Sequence, residues 1–287
     1  MNYRHAFHAG NAGDVLKHVV LAHMLDYLNR KPTPYCALDT HAGVGLYDLG
    51  GAEARATQEW RAGVGRLWEE RPGGAAGAAL APWYAVLDAL NPSGALRLYP
   101  GSPEIILRLE RAADRAVLCE LHPHDARALA ARYRRDGRAK VAGLDGWKGL
   151  GVHLPPRERR GLVLIDPPFE ARDEFVRLAE ALRSSHRRFA TGIYLAWYPV
   201  KGGEDVKGFL RAVRALGLPK TLRIELNWRQ PNHPGRFDGA GLILVNPPYT
   251  LAPAMQAVLP ALADRLATGP GAAAIVETLV GESEERS

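Results

Sequence analysis

Residues 161–169 read Gly161-Leu-Val-Leu-Ile-Asp-Pro-Pro-Phe169, a short apolar run followed by an acid, two prolines and an aromatic ring. The apolar run is typical of a buried strand. Proline stiffens the turn that follows, because its ring fixes φ and it has no N–H to donate. The Asp166 carboxylate and the Pro167 carbonyl can therefore accept both hydrogens of a planar amino group, and the Phe169 ring can stack on the base that carries that group.

The pattern Asp/Asn-Pro-Pro-aromatic is the one that amino-methyltransferases use, but it has a simpler explanation. Two prolines after a strand also end that strand, because neither can donate to the ladder. The chain carries a second copy, since Asn246-Pro-Pro-Tyr249 follows the apolar run Gly241–Val245. We expect at most one copy to be catalytic, and a short motif alone does not decide between them.

Composition limits the classes of protein that the chain can belong to. Of its 287 residues, 47% are hydrophobic and 24% are charged, which is ordinary for a globular α/β protein. No apolar run is long enough to span a membrane and the first residues contain no signal core, so we expect a cytoplasmic protein without a membrane partner. Cys36 and Cys119 are expected to be buried free thiols, and no Cys/His cluster indicates a metal site.

The chain is basic, with a net charge of +6. This charge permits a nucleic-acid partner without requiring one. Arginines cluster at residues 132–138, 157–160 and 187–188. Each cluster alone fits a solvated surface, but beside a motif that modifies a base they become candidates for phosphate contacts.

Strands and helices alternate along most of the chain. The predicted strands are Tyr35–Asp39, Ala116–Glu120, Ala139–Ala142, Leu162–Ile165, Gly192–Trp197, Leu222–Trp228 and Gly241–Val245. The predicted helices are Asn11–Lys31, His122–Arg135, Glu170–Leu182 and Gly203–Leu216, with a further helix start capped by Ser102. This alternation predicts an α/β fold with a mostly parallel, doubly wound sheet.

Residues 52–91 interrupt the alternation. They are rich in Ala, Arg, Glu and Trp, and their apolar residues predict two or three helices. We therefore predict one domain over residues 1–287, with an inserted helical subdomain at residues 52–91.

Acidic residues follow successive predicted strands. Ligands of doubly wound sheets bind beyond the carboxyl ends of the strands. These positions hold Asp39, Glu120, Asp145 and Asp166. A carboxylate after the second strand can accept both hydroxyls of a ribose, and one after the third can accept the amino group of an adenine. The pattern predicts a nucleoside-like cofactor.

Two cofactors compete for this site. A nicotinamide dinucleotide needs the turn Gly-x-Gly-x-x-Gly, and the chain has Gly43 and Gly45 but Asp48 at the third position. S-adenosylmethionine has no phosphate and does not need that turn, so it is the predicted cofactor. Methyltransferase sheets run their final strand antiparallel, which would place Asn246 at the edge opposite the cofactor and leave Asp166 as the catalytic residue.

Segments spread over the chain match one family. They are Tyr3–Asn11, Asp14–His18, Asp39–Gly43, Tyr99–Pro103, Glu120–Pro123, Gly161–Phe169, Ala190–Tyr194 and Trp197–Pro199. Together they resemble the bacterial RlmJ-type 23S rRNA (adenine-N6)-methyltransferases nearly end to end. The resemblance implies a Rossmann-like class I methyltransferase that transfers a methyl group from S-adenosylmethionine to N6 of one adenine in a 23S rRNA hairpin. We expect it to act as a monomer.

The resemblance also implies roles for individual residues. Asp166, Pro167 and Phe169 would be catalytic, and Tyr3, Arg4 and Lys17 would lie near the RNA. The implied cofactor contacts are His18, His41, Ser102, Glu120, Asp145, Gly146 and Asp166. The chain departs from the family at Phe169, where a tyrosine is usual, and at Thr278, where a tryptophan is usual.

Three alternatives stay open at this point. A DNA adenine methyltransferase would use the same tetrapeptide, although no separate target-recognition domain is evident in the sequence. A glutamine methyltransferase would require Asn246-Pro-Pro-Tyr249 to face the cofactor. A non-catalytic RNA-binding protein would keep the arginines without a cofactor site.

Overall fold

One mixed sheet with helices on both faces forms the centre of the protein. The computed structural model describes residues 4–202, 204–232 and 235–282, so Tyr3 lies outside the described residues. The strands are β1 (Cys36–Asp39), β2 (Leu46–Asp48), β3 (Leu98–Pro100), β4 (Arg115–Cys119), β5 (Ala139–Ala142), β6 (Gly161–Ile165), β7 (Ile193–Lys201), β8 (Thr221–Asn227), β9 (Phe237–Val245) and β10 (Ala273–Val280). The helices are α1 (Ala12–Asn29), α2 (Ala52–Thr57), α3 (Arg66–Glu69), α4 (Gly74–Leu90), α5 (Ser102–Leu109), α6 (Pro123–Tyr133), α7 (Gly146–His153), α8 (Glu174–Arg188), α9 (Glu204–Ala215) and α10 (Leu251–Leu266).

The order of strands in the eight-stranded sheet is β10-β8-β9-β7-β6-β1-β4-β5. Neighbours from β7 to β5 are parallel, whereas β9 is antiparallel to both β7 and β8. The predicted mostly parallel, doubly wound sheet and the antiparallel direction of Gly241–Val245 are both confirmed. A further strand that the sequence did not predict, β10, pairs antiparallel with β8.

Two apolar layers pack against the faces of this sheet. Helices α1, α4, α5 and α10 share one core with β1, β8 and β9, and α7, α8 and α9 contribute to the other. The apolar run of β6 is buried along its whole length, as its sequence predicted. Cys36 and Cys119 are buried and free, and burial raises the pKa of each thiol to about 12. Within the described ranges, no helix is long and apolar enough to cross a membrane.

Helix α1 lies deep in the protein and carries charged residues into it. Asn11 caps the helix, because its side-chain oxygen accepts the backbone N–H of Asp14 at 2.9 Å. Asp14, Lys17 and His18 are all buried, although most of the other buried residues of this helix are apolar. Buried charges are costly unless they are paired, so this part of the helix is a candidate functional site.

Residues 52–90 form α2, α3 and α4, with a π-helical turn at Arg61–Gly65. Leu67, Leu80 and Trp83 are fully buried in the same core as α1 and α10. The short antiparallel pair β2 and β3 lies on either side of these helices in the chain. The division into a separate subdomain stays a prediction.

Two predicted helix starts are wrong. The N-cap of helix α5 is Gly101, and Ser102 is the first residue of the helix; its hydroxyl donates to Asp39 and accepts no backbone N–H of the helix. Helix α8 begins at Glu174 and not at Glu170. Phe169 has φ of +52°, a left-handed conformation that a right-handed helix cannot contain. The helix therefore begins only after the turn that contains Phe169.

Glu110, which follows α5, makes a pH-dependent contribution to stability. Its side chain is buried, both carboxylate oxygens are without a hydrogen-bond partner in the described part of the chain, and burial raises its pKa to about 8. The folded state therefore keeps a proton that the unfolded chain releases near pH 4.5. The contribution of Glu110 to the free energy of unfolding is fully present below pH 4.5, and it is lost as the pH rises through about 8.

We expect Glu110→Gln to remove this pH dependence. Between pH 5 and pH 8 the wild type should lose up to about 1.4 kcal/mol per pH unit relative to the variant. The measurement is urea unfolding of both proteins over that range. Glu180→Gln, which alters an exposed glutamate paired with Arg183, is the control and should follow the wild type. Parallel stability curves for the wild type and Glu110→Gln would contradict the prediction.

Candidate active site

A cavity of about 440 Å³ opens beyond the carboxyl ends of β1, β4, β6 and β7. Most of the residues predicted for the site line it. They are Arg4, Lys17, His18, His41, Ser102, Glu120, Asp166, Pro167 and Phe169. Asp145 and Gly146 lie beside this cavity without lining it, and Tyr3 lies outside the described residues. Thr278 pairs with Leu222 in the sheet and does not line the cavity.

The turn after β6 is held by aromatic packing. The Phe169 ring lies 4.9 Å from that of Phe175 and 5.8 Å from that of Trp197, both edge to face. The left-handed backbone at Phe169 costs of order 1–3 kcal/mol and persists only where the surroundings fix it. Strained residues of this kind concentrate at functional sites, and the same turn carries Asp166 and Pro167 at the cavity.

Lys17 forms a buried ion-pair network with two carboxylates. Its ammonium lies 2.5 Å from Oδ2 of Asp166 and 2.8 Å from Oδ1 of Asp14. Burial works to lower the pKa of Lys17, but the two carboxylates outweigh it and raise that pKa. Lys17 therefore stays charged and fixes the Asp166 carboxylate against α1. The structure pairs the Lys17 ammonium with Asp166. The expected position of Lys17 near the RNA stays a prediction.

Asp14 anchors the other side of this network. Its Oδ2 accepts the backbone N–H of Gly10 at 3.0 Å and lies 2.8 Å from Nε2 of His5. Burial would raise the pKa of Asp14, but His5, Lys17 and His18 together hold it well below its usual range. The segment before α1 is thereby tied to the same charged cluster as the turn after β6.

His18 and His41 are neutral at physiological pH. Burial lowers the pKa of His18 to about 3 and that of His41 to about 4. Nδ1 of His18 lies 2.9 Å from the Tyr99 hydroxyl, and Nδ1 of His41 lies 2.7 Å from the hydroxyl of Thr40. Nε2 of His18 is buried at the cavity wall without a hydrogen-bond partner in residues 4–202, 204–232 and 235–282. This atom lies 3.8 Å from Oδ1 of Asp14, which is beyond hydrogen-bond distance, and His18 lines the cavity.

Glu120, directly after β4, has its carboxylate fixed by backbone donors. Oε2 accepts the N–H of Gly43 at 2.8 Å, and Oε1 accepts the N–H of His122 at 2.7 Å. Burial raises the pKa of this carboxyl. Each oxygen keeps a lone pair that can accept a hydroxyl of a ligand.

Asp39 organises the turn after β1. It is fully buried, accepts the Ser102 hydroxyl at 2.6 Å and accepts the backbone N–H of His41 at 3.2 Å. Burial raises its pKa to about 7. Asp39 therefore orients Ser102 and His41, two of the residues that were predicted to contact the cofactor. The position of Asp39 at a strand end did not reveal this role.

Asp145 and Gly146 shape the wall next to His41. The Asp145 side chain caps α7 by accepting the backbone N–H of Trp147 at 2.9 Å. A Cβ atom on Gly146 would lie 2.1 Å from the carbonyl oxygen of Thr40. Only glycine lets α7 begin this close to the turn after β1.

The second Pro-Pro motif, Asn246-Pro-Pro-Tyr249, lies at the end of the strands opposite to the cavity. Because β9 is antiparallel to β7, Asn246, which follows β9, lies at the end of the sheet away from the cavity. Its side-chain amide donates to the carbonyls of Ala190 at 2.7 Å and Gly192 at 2.9 Å. Tyr249 is 80% exposed and does not line the cavity. In this structure the motif closes a turn.

We expect Asn246→Ala to lower stability and leave catalysis intact. The change removes two hydrogen bonds to backbone carbonyls, worth about 1 kcal/mol each, from a residue in the left-handed region at φ of +53°. Thermal unfolding should shift to lower temperature, while kcat measured well below the transition stays at the wild-type value. Complete loss of activity in a folded Asn246→Ala protein would reverse the choice of motif.

The antiparallel strand β9, inserted between β7 and β8 beside the parallel strands from β7 to β5, is the arrangement of class I methyltransferases. The cavity lies where doubly wound sheets bind their ligands. The chain belongs to the family described as Ribosomal RNA large subunit methyltransferase D, RlmJ, whose model matches residues 32–278. It is therefore an enzyme of the methyltransferase class.

Individual relatives extend this match over nearly the whole chain. The chain is 40% identical over 282 residues to "Ribosomal RNA large subunit methyltransferase J" of Escherichia coli (strain K12), covering 98% of this chain and 100% of that protein. It is 40% identical over 267 residues to the protein of the same name from Haemophilus influenzae, covering 93% and 94%. A crystal structure of a Legionella pneumophila protein superposes with a TM-score of 0.85 at 34% identity, covering 94% of this chain and 98% of that one.

Sequence reasoning missed several residues of the site. Asp14 was not among the predicted site residues, although its spacing of three from Lys17 and four from His18 puts all three on one face of α1. Trp197, Lys201 and Phe237 also line the cavity. The predicted strands Gly192–Trp197 and Gly241–Val245 stopped short of Lys201 and Phe237, because local patterns do not show how far paired strands extend.

Proposed function

We propose that this chain transfers a methyl group from S-adenosylmethionine to N6 of a specific adenine in a 23S rRNA hairpin, in the cytoplasm. The observation that carries the proposal is the Asp166-Pro-Pro-Phe169 turn, which opens onto the same cavity as the Glu120 carboxylate. The turn supplies acceptors for an amino group, and Glu120 supplies acceptors for a ribose. The family and the printed names of the relatives support a ribosomal RNA substrate.

The residues of the cavity fit the cofactor. Glu120 has free lone pairs for ribose hydroxyls, and the unpartnered Nε2 of buried, neutral His18 can donate to a carboxylate. Ser102, held by Asp39, lies at the cavity wall at the start of α5, where the helix dipole favours a negative group. S-adenosylmethionine, when bound, supplies an activated methyl group.

The adenine side of the cavity is built to present a weak nucleophile. The N6 lone pair is delocalised into the ring, so the amine must be held with that lone pair turned outward. Lys17 occupies Oδ2 of Asp166, and Oδ1 has no hydrogen-bond partner in the described part of the chain. Oδ1 can accept one N6 hydrogen and the Pro167 carbonyl the other, while the ring of Phe169 stacks on the base.

The target adenine must leave its stack to reach this position. Flipping a base costs a few kcal/mol, and less in a loop or at a weak pair, which favours a hairpin target. The bound cofactor would supply the methyl group by breaking its sulfonium S–CH3 bond and leaving as a thioether. The excess proton on the methylated N6 can then move to Oδ1 of Asp166 and from there to water. Alignment and a fixed electrostatic environment supply most of the acceleration.

The test is methyl transfer to protein-free 23S rRNA, with duplex DNA as the competing substrate and the modified base mapped. We expect label on N6 of one adenine in the RNA and none on the duplex. Equal transfer to duplex DNA would favour a DNA adenine methyltransferase instead. Calorimetry with S-adenosylmethionine that shows no binding would favour a non-catalytic RNA-binding protein.

A further inference from the structure

Strand β7 extends past the edge of the parallel sheet. Its residues Ile193–Ala196 pair with β6, but the residues from Trp197 to Lys201 pair with β9 alone. Because β6 ends where the Asp166 turn begins, the β7–β9 ribbon projects beyond that turn and along the cavity. This projecting ribbon forms one wall of the cavity, and residues of β2 line another part of it.

One face of the ribbon lines the cavity. Side chains alternate along a strand, so Trp197, Pro199 and Lys201 point to the same side. All three line the cavity, and so does Phe237, which pairs with Lys201 across the ribbon. The Trp197 ring lies 5.8 Å from that of Phe169, and Lys201 is four residues further on, about 13 Å along the strand. The face therefore begins at the base-stacking ring and ends at an exposed ammonium.

The charges around the cavity single out Lys201. Within the described ranges, the lysines and arginines that line it are Arg4, Lys17 and Lys201. Lys17 is locked between two carboxylates, and Arg4 lies 3.5 Å from Glu53. Lys201 has no carboxylate within ion-pair distance among residues 4–202, 204–232 and 235–282. Of these three cations, it is the one whose charge is not already compensated.

We propose that Lys201 binds a backbone phosphate at the target nucleotide, while Trp197 and Pro199 form the wall beside its sugar. This subsite rests on the proposed function, because its ligand is the RNA strand that delivers the flipped adenine. A phosphate contact of this kind is made equally in the ground state and in the transition state. It therefore lowers KM for RNA and leaves kcat unchanged.

The test compares Lys201→Ala and Lys201→Arg with Lys220→Ala. Lys220 is an exposed lysine directly before β8, at the end of the sheet away from the cavity. Replacing it with alanine changes the net charge by the same amount as Lys201→Ala does. KM for a 23S rRNA fragment that carries the unmethylated target adenine is measured over a series of salt concentrations. For Lys201→Ala we expect a higher KM, an unchanged kcat and a salt dependence whose log–log slope is smaller by about 0.7 to 0.9. Lys201→Arg should restore the wild-type slope.

The outcomes separate this subsite from the function on which it rests. Transfer by the wild type, together with the same KM and salt slope for Lys201→Ala as for Lys220→Ala, would overturn the subsite and leave the function standing. A fall in kcat for Lys201→Ala at unchanged KM would also overturn it. If the wild type transfers no methyl group to any adenine of 23S rRNA, the proposed function fails and the subsite fails with it.

Discussion

Asp166→Ala should reduce methyl transfer to rRNA by about 10²–10⁴-fold, the range for loss of a positioned acceptor and proton-transfer group. The variant loses the carboxylate that can hold an N6 hydrogen and take up the excess proton. Lys17 keeps its second partner, because its ammonium also lies 2.8 Å from Asp14, so the buried cation is not left alone. We therefore expect a folded protein that binds RNA and transfers methyl groups very slowly.

The measurement is single-turnover transfer to 23S rRNA, with circular dichroism and thermal unfolding as checks on the fold. Asp173→Ala is the matched control, since it removes one carboxylate from an exposed position just before α8. That control should transfer at the wild-type rate. A wild-type rate in folded Asp166→Ala protein would remove the turn after β6 from the mechanism.

Local sequence signals were sufficient for the parts of the fold that depend on short segments. The apolar run before Asp166 predicted a buried strand, and the acids at strand ends predicted a site beyond them. Glu120 and Asp166 indeed line one cavity, because parallel strands bring their carboxyl ends to one edge. The antiparallel direction of Gly241–Val245 came from the fold class and not from its own residues.

Features that depend on contacts between distant segments were not predictable. Lys17 and Asp166 are 149 positions apart, and no local pattern links them. Strand β7 was predicted to end at Trp197, but its pairing with β9 carries it on to Lys201. Strand β10 and helix α10 were missed because their apolar residues are interspersed with small and polar ones. The wall of the cavity that contains Trp197, Lys201 and Phe237 depends on the long-range pairing of β7 with β9.

Lys17→Met should impair both stability and transfer, and the two effects can be separated. Methionine keeps most of the apolar stem but removes the ammonium between two carboxylates. The Asp14 side chain is 1% exposed, so the loss leaves a buried charge with less compensation. Breaking a buried pair in this way costs about 3–5 kcal/mol, which urea unfolding should show.

The double variant Lys17→Met/Asp14→Asn tests whether Lys17 also positions Asp166. Neutralising Asp14 removes the uncompensated charge, so much of the lost stability should return. The Asp166 carboxylate still lacks the ammonium that holds its Oδ2, so transfer should stay low at temperatures where the double variant is folded. Recovery of kcat together with stability would show that Lys17 acts only on the fold. Recovery of stability alone would establish it as the residue that orients Asp166 toward the amine.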